Sequence, residues 1–248
     1  MPVKNKLKSQ IKRFFLFPFL YRIYLKITRS LFYREDPFFY TLSPMLLVAI
    51  VKAFNLQKIA QDKGKDLLSG YAYYEFGLFK GFSFWFAEQI SKDYAGENFS
   101  LYGFDSFEGL PQSKVDFDLE GNYAVSQEFV TSKLTEHGTD FKRAKLFKGF
   151  YSKEHFTLLR KKEKFFPVSI AVIDVDLYES CIEVLNFLKD YLVAGSIILF
   201  DDYNVFDRDD RHGERRAFLE FKKENPKFQA EHIFDFGWHG SAFRVASA

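Results

Sequence analysis

Two short apolar runs, Val168-Ser169-Ile170-Ala171-Val172-Ile173 and Ser196-Ile197-Ile198-Leu199-Phe200, constrain the fold of this chain more than any other feature. Runs of this kind, without polar alternation, read as strands covered on both faces, as in a parallel sheet. Between them, Tyr178 to Leu192 carries Ile182, Leu185, Leu188 and Leu192 at helical spacing. A strand-helix-strand unit of this size makes a right-handed crossover, which brings both carboxyl ends to one edge. Each run ends in acids, Asp174-Val175-Asp176 after the first and Asp201-Asp202 after the second. Neighbouring strands lie about 4.8 Å apart, so these carboxylates can converge within reach of one cation. Open α/β sheets also bind their ligands at that edge.

The same pattern of runs and turns extends along the chain. Strands are expected at Tyr71–Phe76, Phe99–Phe104 and around Ala144–Phe147, and helices at Met45–Ala60, Gly81–Lys92, Gln127–His137 and Glu214–Asn225. Gln112–Tyr123 is polar and reads as a loop, and Asn204–Gly213 as another. Two last segments, Glu231–Phe236 and Ser241–Val245, are expected to pair as an antiparallel hairpin. Alternating strands and helices closed by a hairpin give a three-layer α/β sandwich. The expected division is a helical extension over residues 1–69 and one α/β domain over 70–248.

Charge is unevenly distributed. Residues 1–34 hold nine basic side chains and no acid, which leaves 26 basic and 33 acidic side chains in the remainder. Cys181 is the only cysteine, which excludes an internal disulfide and fits a reducing compartment. No stretch approaches the roughly 20 apolar residues of a membrane span, and the N-terminus lacks a signal-peptide pattern. The expected location is the cytoplasm. The 33 Phe and 14 Tyr read as core filler.

Glu75-Phe76-Gly77-Leu78-Phe79-Lys80-Gly81 lies between the first strand and its helix. Its glycines permit a sharp turn and the close approach of a ligand, although many such matches are ordinary turns. The three-glycine dinucleotide spacing and the phosphate-loop lysine are both missing. Asp105 ends the second strand, where an acid either accepts hydrogen bonds from ribose hydroxyls or serves the turn. Acids at strand ends also cap helices; four at one edge, however, repel one another without a counter-charge. Hard cations favour carboxylate oxygens, and no His or Cys pair offers a zinc alternative here.

Three segments together resemble a known family: Tyr74–Gly81; Tyr102-Gly103-Phe104-Asp105-Ser106-Phe107-Glu108-Gly109-Leu110-Pro111; and Asp174-Val175-Asp176-Leu177-Tyr178-Glu179-Ser180 with Asp201-Asp202-Tyr203. They resemble the class I S-adenosylmethionine-dependent methyltransferases and, within these, the TylF/MycF-type macrocin O-methyltransferases, which methylate sugar hydroxyls. The resemblance covers residues 70–246, with Cys181 standing where the family has Thr. It implies a Rossmann-like, mostly parallel seven-stranded sheet. It further implies cofactor binding by Glu75, Gly77, Gly81, Asp105 and Ser106, and Mg²⁺ binding by Asp174, Asp201 and Asp202. The implied acceptor is a glycoside, nucleotide sugar or surface glycan; a catechol or phenol is the alternative acceptor, and a non-catalytic scaffold the alternative role.

A sugar hydroxyl needs a base to take its proton. Asp176, two residues past Asp174, is the candidate, with an outer-shell role at the metal as the alternative. His239 is a second candidate base, and His155 and His212 stand behind it. The basic arm interleaves Phe14, Phe15, Phe17, Phe19, Tyr21 and Tyr24 with its cations. It suits either an anionic membrane surface or packing in a homodimer, the arrangement the resemblance implies. Nucleic acid is not expected, because the body is acidic and no binding motif accompanies the arm.

Overall fold

The two apolar runs form neighbouring strands at the centre of a seven-stranded sheet. The computed structural model describes residues 38, 43–112, 121 and 123–248. The basic arm and most of the Gln112–Tyr123 loop lie outside the described residues. The chain divides into two units, residues 1–40 and 41–248, and the sheet with its helices belongs to the second. The elements of that unit, in chain order, are helix α1 (Pro44–Asp62), strand β1 (Ala72–Phe76), α2 (Phe82–Tyr94), β2 (Ser100–Asp105), α3 (Gln127–Glu136), β3 (Ala144–Lys148) and α4 (Lys153–Lys162). Then come β4 (Val168–Ile173), α5 (Tyr178–Leu188), β5 (Ile197–Phe200), α6 (Gly213–Glu224), β6 (Gln229–Phe236) and β7 (Gly240–Ser247).

Strand order is β3-β2-β1-β4-β5-β7-β6, with the first five parallel and β7 antiparallel to both its neighbours. The order reverses between β1 and β4, which is where a sheet of this kind opens a ligand crevice. Register aligns the strand ends there: Phe76 pairs with Ile173, and Ile173 with Phe200. The ladder runs one bond further, from Asp174 N–H to Phe76 O and from Asp201 N–H to Ile173 O, both 2.9 Å. Glycine loop and acidic loops therefore start at one level of one edge.

Strand alternation sorts the aromatic residues by face. Tyr74, Phe76, Phe104 and Phe147 join Phe156, Phe165 and Phe187 in one stacked core under α4 and α5. Phe76 and Phe104 stack at 4.6 Å, and Phe156 and Phe187 at 4.3 Å. On the other face, Tyr73 packs with Phe54 of α1 and Phe84 of α2. The abundance of Phe is thus largely a matter of core filling.

Helix α4 is not among the expected elements, although Phe156 and Leu159, three residues apart, both face the core. Its Ser152 cap accepts the His155 N–H at 3.1 Å, and Phe156 is its one buried apolar residue. Helix α1 is held to the sheet by Gln57, whose amide donates to Ser169 O (2.8 Å) and Gly195 O (3.1 Å). Among the described residues, no helix is long and apolar enough to cross a membrane.

Candidate active site

The loop after β1 is shaped by its glycines. Gly77 has φ +88°, and a Cβ there would lie 1.7 Å from the Asp174 carbonyl oxygen. Gly81 caps α2 at φ +85°, where a Cβ would meet Val130 at 2.8 Å. Both positions require glycine, for neighbours on β4's loop and on α3. Tyr151 pins the loop from below: its hydroxyl accepts the Gly77 N–H (2.8 Å) and donates to Phe104 O (2.9 Å).

Asp105 performs a task that spacing does not reveal. One carboxylate oxygen accepts N–H groups from Leu78 (2.7 Å) and Phe79 (3.2 Å), and the other accepts from Phe107 (2.6 Å). It thus ties the glycine loop to the end of β2, and burial raises its pKa despite those three bonds. Ser106 folds the following turn, donating to Gly109 O (2.7 Å) and accepting from Glu108 N–H (3.1 Å). Glu75 is fully buried beneath the loop, bonded to Tyr73 and to Ser83 (2.5 Å). Burial, outweighing those hydrogen bonds, pushes its pKa up to about 7.

The acids gather as expected but in a different partition. Carboxylate oxygens of Asp174, Asp176 and Asp202 lie within 4.8 Å of one another, and a second such group joins Asp201, Asp202 and His239. Asp174, Asp201 and Asp202, the expected ligand set, form no single group; Asp202 belongs to both. Asp201 Oδ1 accepts the Ser43 hydroxyl at 2.7 Å. Asp176 sits with Asp174 through a turn rather than through strand alternation, since β4 ends at Ile173. Leu177 N–H bonds Val175 O at 2.5 Å across Asp176, whose φ is +57°. That is a γ-turn, a strained conformation for a residue with a side chain.

Burial and mutual repulsion raise every pKa in the cluster, Asp176 to about 7 and Asp202 to about 6. Among the described residues, none of these four acids pairs with a Lys or Arg. His239 lies beside Asp201, its Nδ1 2.7 Å from the Asp201 carbonyl. His155 instead packs under Gly149, and His212 against Phe206 and Asp209, so neither joins an acidic group.

A fifth carboxylate belongs to the site. Glu214, in the first turn of α6, is fully buried and accepts N–H groups from Val175 and Asp202. In sequence it reads as an ordinary acid at a helix start, favoured by the helix dipole. Its one distinguishing signal is its place in the segment after the second acidic pair.

Comparison with known proteins agrees with this architecture. The fold is similar to the O-methyltransferase NovP, at 18% identity and TM-score 0.63 over 81% of this chain and 79% of that one. It is likewise similar to CalS11, a calicheamicin methyltransferase, at 18% identity and TM-score 0.60 over 82% and 80%. An O-methyltransferase from Bacillus cereus in complex with SAH matches at 13% identity and TM-score 0.54 over 90% and 96%. No curated protein matches by sequence. The model of the macrocin-O-methyltransferase (TylF) family matches residues 48–244, a span that holds the glycine loop, both acidic pairs and Glu214, and the chain belongs to that family.

Proposed function

We propose that the protein is an S-adenosylmethionine- and Mg²⁺-dependent O-methyltransferase that acts on a sugar hydroxyl. The observation that carries this reading is the convergence of Asp174, Asp176 and Asp202 beside the Gly77 loop, at the point where strand order reverses. Family membership supports methyl transfer to oxygen. A sugar acceptor is supported by the family's macrocin name and by CalS11, described as a TDP-rhamnose 3'-O-methyltransferase.

The residues present fit a hard divalent cation. The donors of the first group, Asp174, Asp176 and Asp202, are all carboxylate oxygens within 4.8 Å of one another, and their repulsion calls for a counter-charge. Asp174 and Asp202 would hold the ion, with Asp176 beside them; Asp201, the third expected ligand, stands in the neighbouring group with Asp202 and His239. When bound, the ion would supply positive charge that lowers the pKa of a coordinated hydroxyl. The cofactor would lie along the glycine loop, which Asp105 ties to the end of β2, which Glu75 underlies, and which Gly77 and Gly81 let pack against Asp174 and Val130. Asp176, on its γ-turn, would take the acceptor hydroxyl's proton, and the bound cofactor would supply the methyl group that replaces it.

A panel of nucleotide sugars, glycosides and catechols, offered with methyl-labelled cofactor, tests the reading. Labelled sugar with no labelled catechol is expected. Preferential labelling of catechols would overturn the sugar assignment, and no transfer to any acceptor would overturn the enzymatic one.

A further inference from the structure

The acids of the site stand on two separate loops, and their spacing is decided beyond the end of the sheet. β4 and β5 pair from Ile170 with Ile197 to Ile173 with Phe200, and the ladder adds only the Asp201 bond past that point. Further out, a side chain from a third element joins the loops. Glu214 Oε1 accepts the Val175 N–H at 3.3 Å, and its Oε2 accepts the Asp202 N–H at 3.0 Å. Val175 lies between Asp174 and Asp176, and Asp202 is the residue common to both acidic groups.

The chemistry of this joint demands a carboxylate. Both oxygens accept, and each serves a different loop. A Gln side chain has one acceptor oxygen and would set its NH₂ against one of the two N–H groups. The carboxyl is placed where an ionised group is least welcome, with no exposed surface and near Asp202 and Asp201. A tie needed only to hold the fold has cheaper forms. A carboxylate here makes sense where loop spacing governs what the neighbouring acids can bind, and where a bound cation offsets the added charge.

We propose that Glu214 is a positioning residue: by clamping the Val175 and Asp202 amides it sets the distance between the two acidic loops, and so forms the divalent-cation site. This rests on the metal reading above. It assigns Glu214 no contact with cofactor or acceptor.

The test uses full-length wild type, Glu214→Gln and Glu214→Asp. Mn²⁺ binding is followed by electron paramagnetic resonance, S-adenosylhomocysteine binding by calorimetry, and folding by thermal melts. Gln keeps the size and loses one acceptor; Asp keeps the charge and loses the reach. Both are expected to weaken Mn²⁺ binding by about 10- to 100-fold, the usual range for groups that orient metal ligands. Cofactor-product affinity should stay within about twofold, because Glu214 touches neither the glycine loop nor Asp105. Equal Mn²⁺ affinity in wild type and Glu214→Gln overturns the inference and leaves the metal reading standing. Full affinity in Glu214→Asp would make charge rather than spacing the cause, and also overturns it. Parallel loss of Mn²⁺ and product binding would mark a general structural role instead. A wild type that binds no Mn²⁺ overturns the metal reading and the inference with it.

Discussion

Replacing Glu75 by Gln should change the pH dependence of stability by an amount set by its burial. Glu75 has no exposed surface, and burial lifts its pKa from 4.5 to about 7. A carboxyl raised on folding favours the folded state while protonated, so its contribution is complete below pH 4.5 and is lost as pH climbs to about 7. At about 1.4 kcal/mol per pKa unit, ionisation of Glu75 costs about 1 kcal/mol at pH 5 and about 3 kcal/mol at pH 8. Gln does not titrate and removes both costs. It also exchanges the hydrogen bonds to Tyr73 and Ser83, but that exchange is independent of pH and cancels in a difference. Urea unfolding of wild type and Glu75→Gln at the two pH values should show the mutant gaining about 2 to 3 kcal/mol relative to wild type between pH 5 and pH 8. A difference near zero would mean that Glu75 is ionised in the folded protein at pH 5, and would refute the reasoning.

Gly77→Ala places a methyl group 1.7 Å from the Asp174 carbonyl oxygen at φ +88°, so it should destabilise the fold by more than about 2 kcal/mol, read from thermal melts. Because the clash joins the glycine loop to an acidic loop, cofactor and Mn²⁺ binding should weaken together; loss of cofactor binding alone would contradict the structural cause. Tyr151→Phe removes the hydroxyl between Gly77 and Phe104 but leaves their direct 3.0 Å bond. It should therefore cost only about 1 kcal/mol in urea unfolding.

The central strands were legible because they are buried on both faces and therefore apolar without interruption, and Val168–Ile173 was placed to the residue. The helix after them ends at Leu188 rather than Leu192, whose side chain reaches the core from the turn beyond. Helix α4 presents only Phe156 and Leu159 to the core, a stripe of one turn amid charged residues. The site was legible as an edge and as a set of acids. Its partition was not, since strand alternation contains neither the long-range Ser43 bond to Asp201 nor the local γ-turn at Asp176. Gly77 was readable as a turn residue, but its reason, the carbonyl of Asp174, belongs to a distant segment. Glu214 was hidden by the commonness of acids in first helical turns.

Chelation separates metal-dependent methyl transfer to a sugar from transfer that needs no ion. Purified full-length protein is given methyl-labelled S-adenosylmethionine and a sugar acceptor in Mg²⁺, then in excess EDTA, then with Mg²⁺ restored. Transfer should stop on chelation and return on restoration, while Asp202→Ala stays inactive throughout and still binds the cofactor. Undiminished transfer in EDTA, or full activity of Asp202→Ala, would contradict the account.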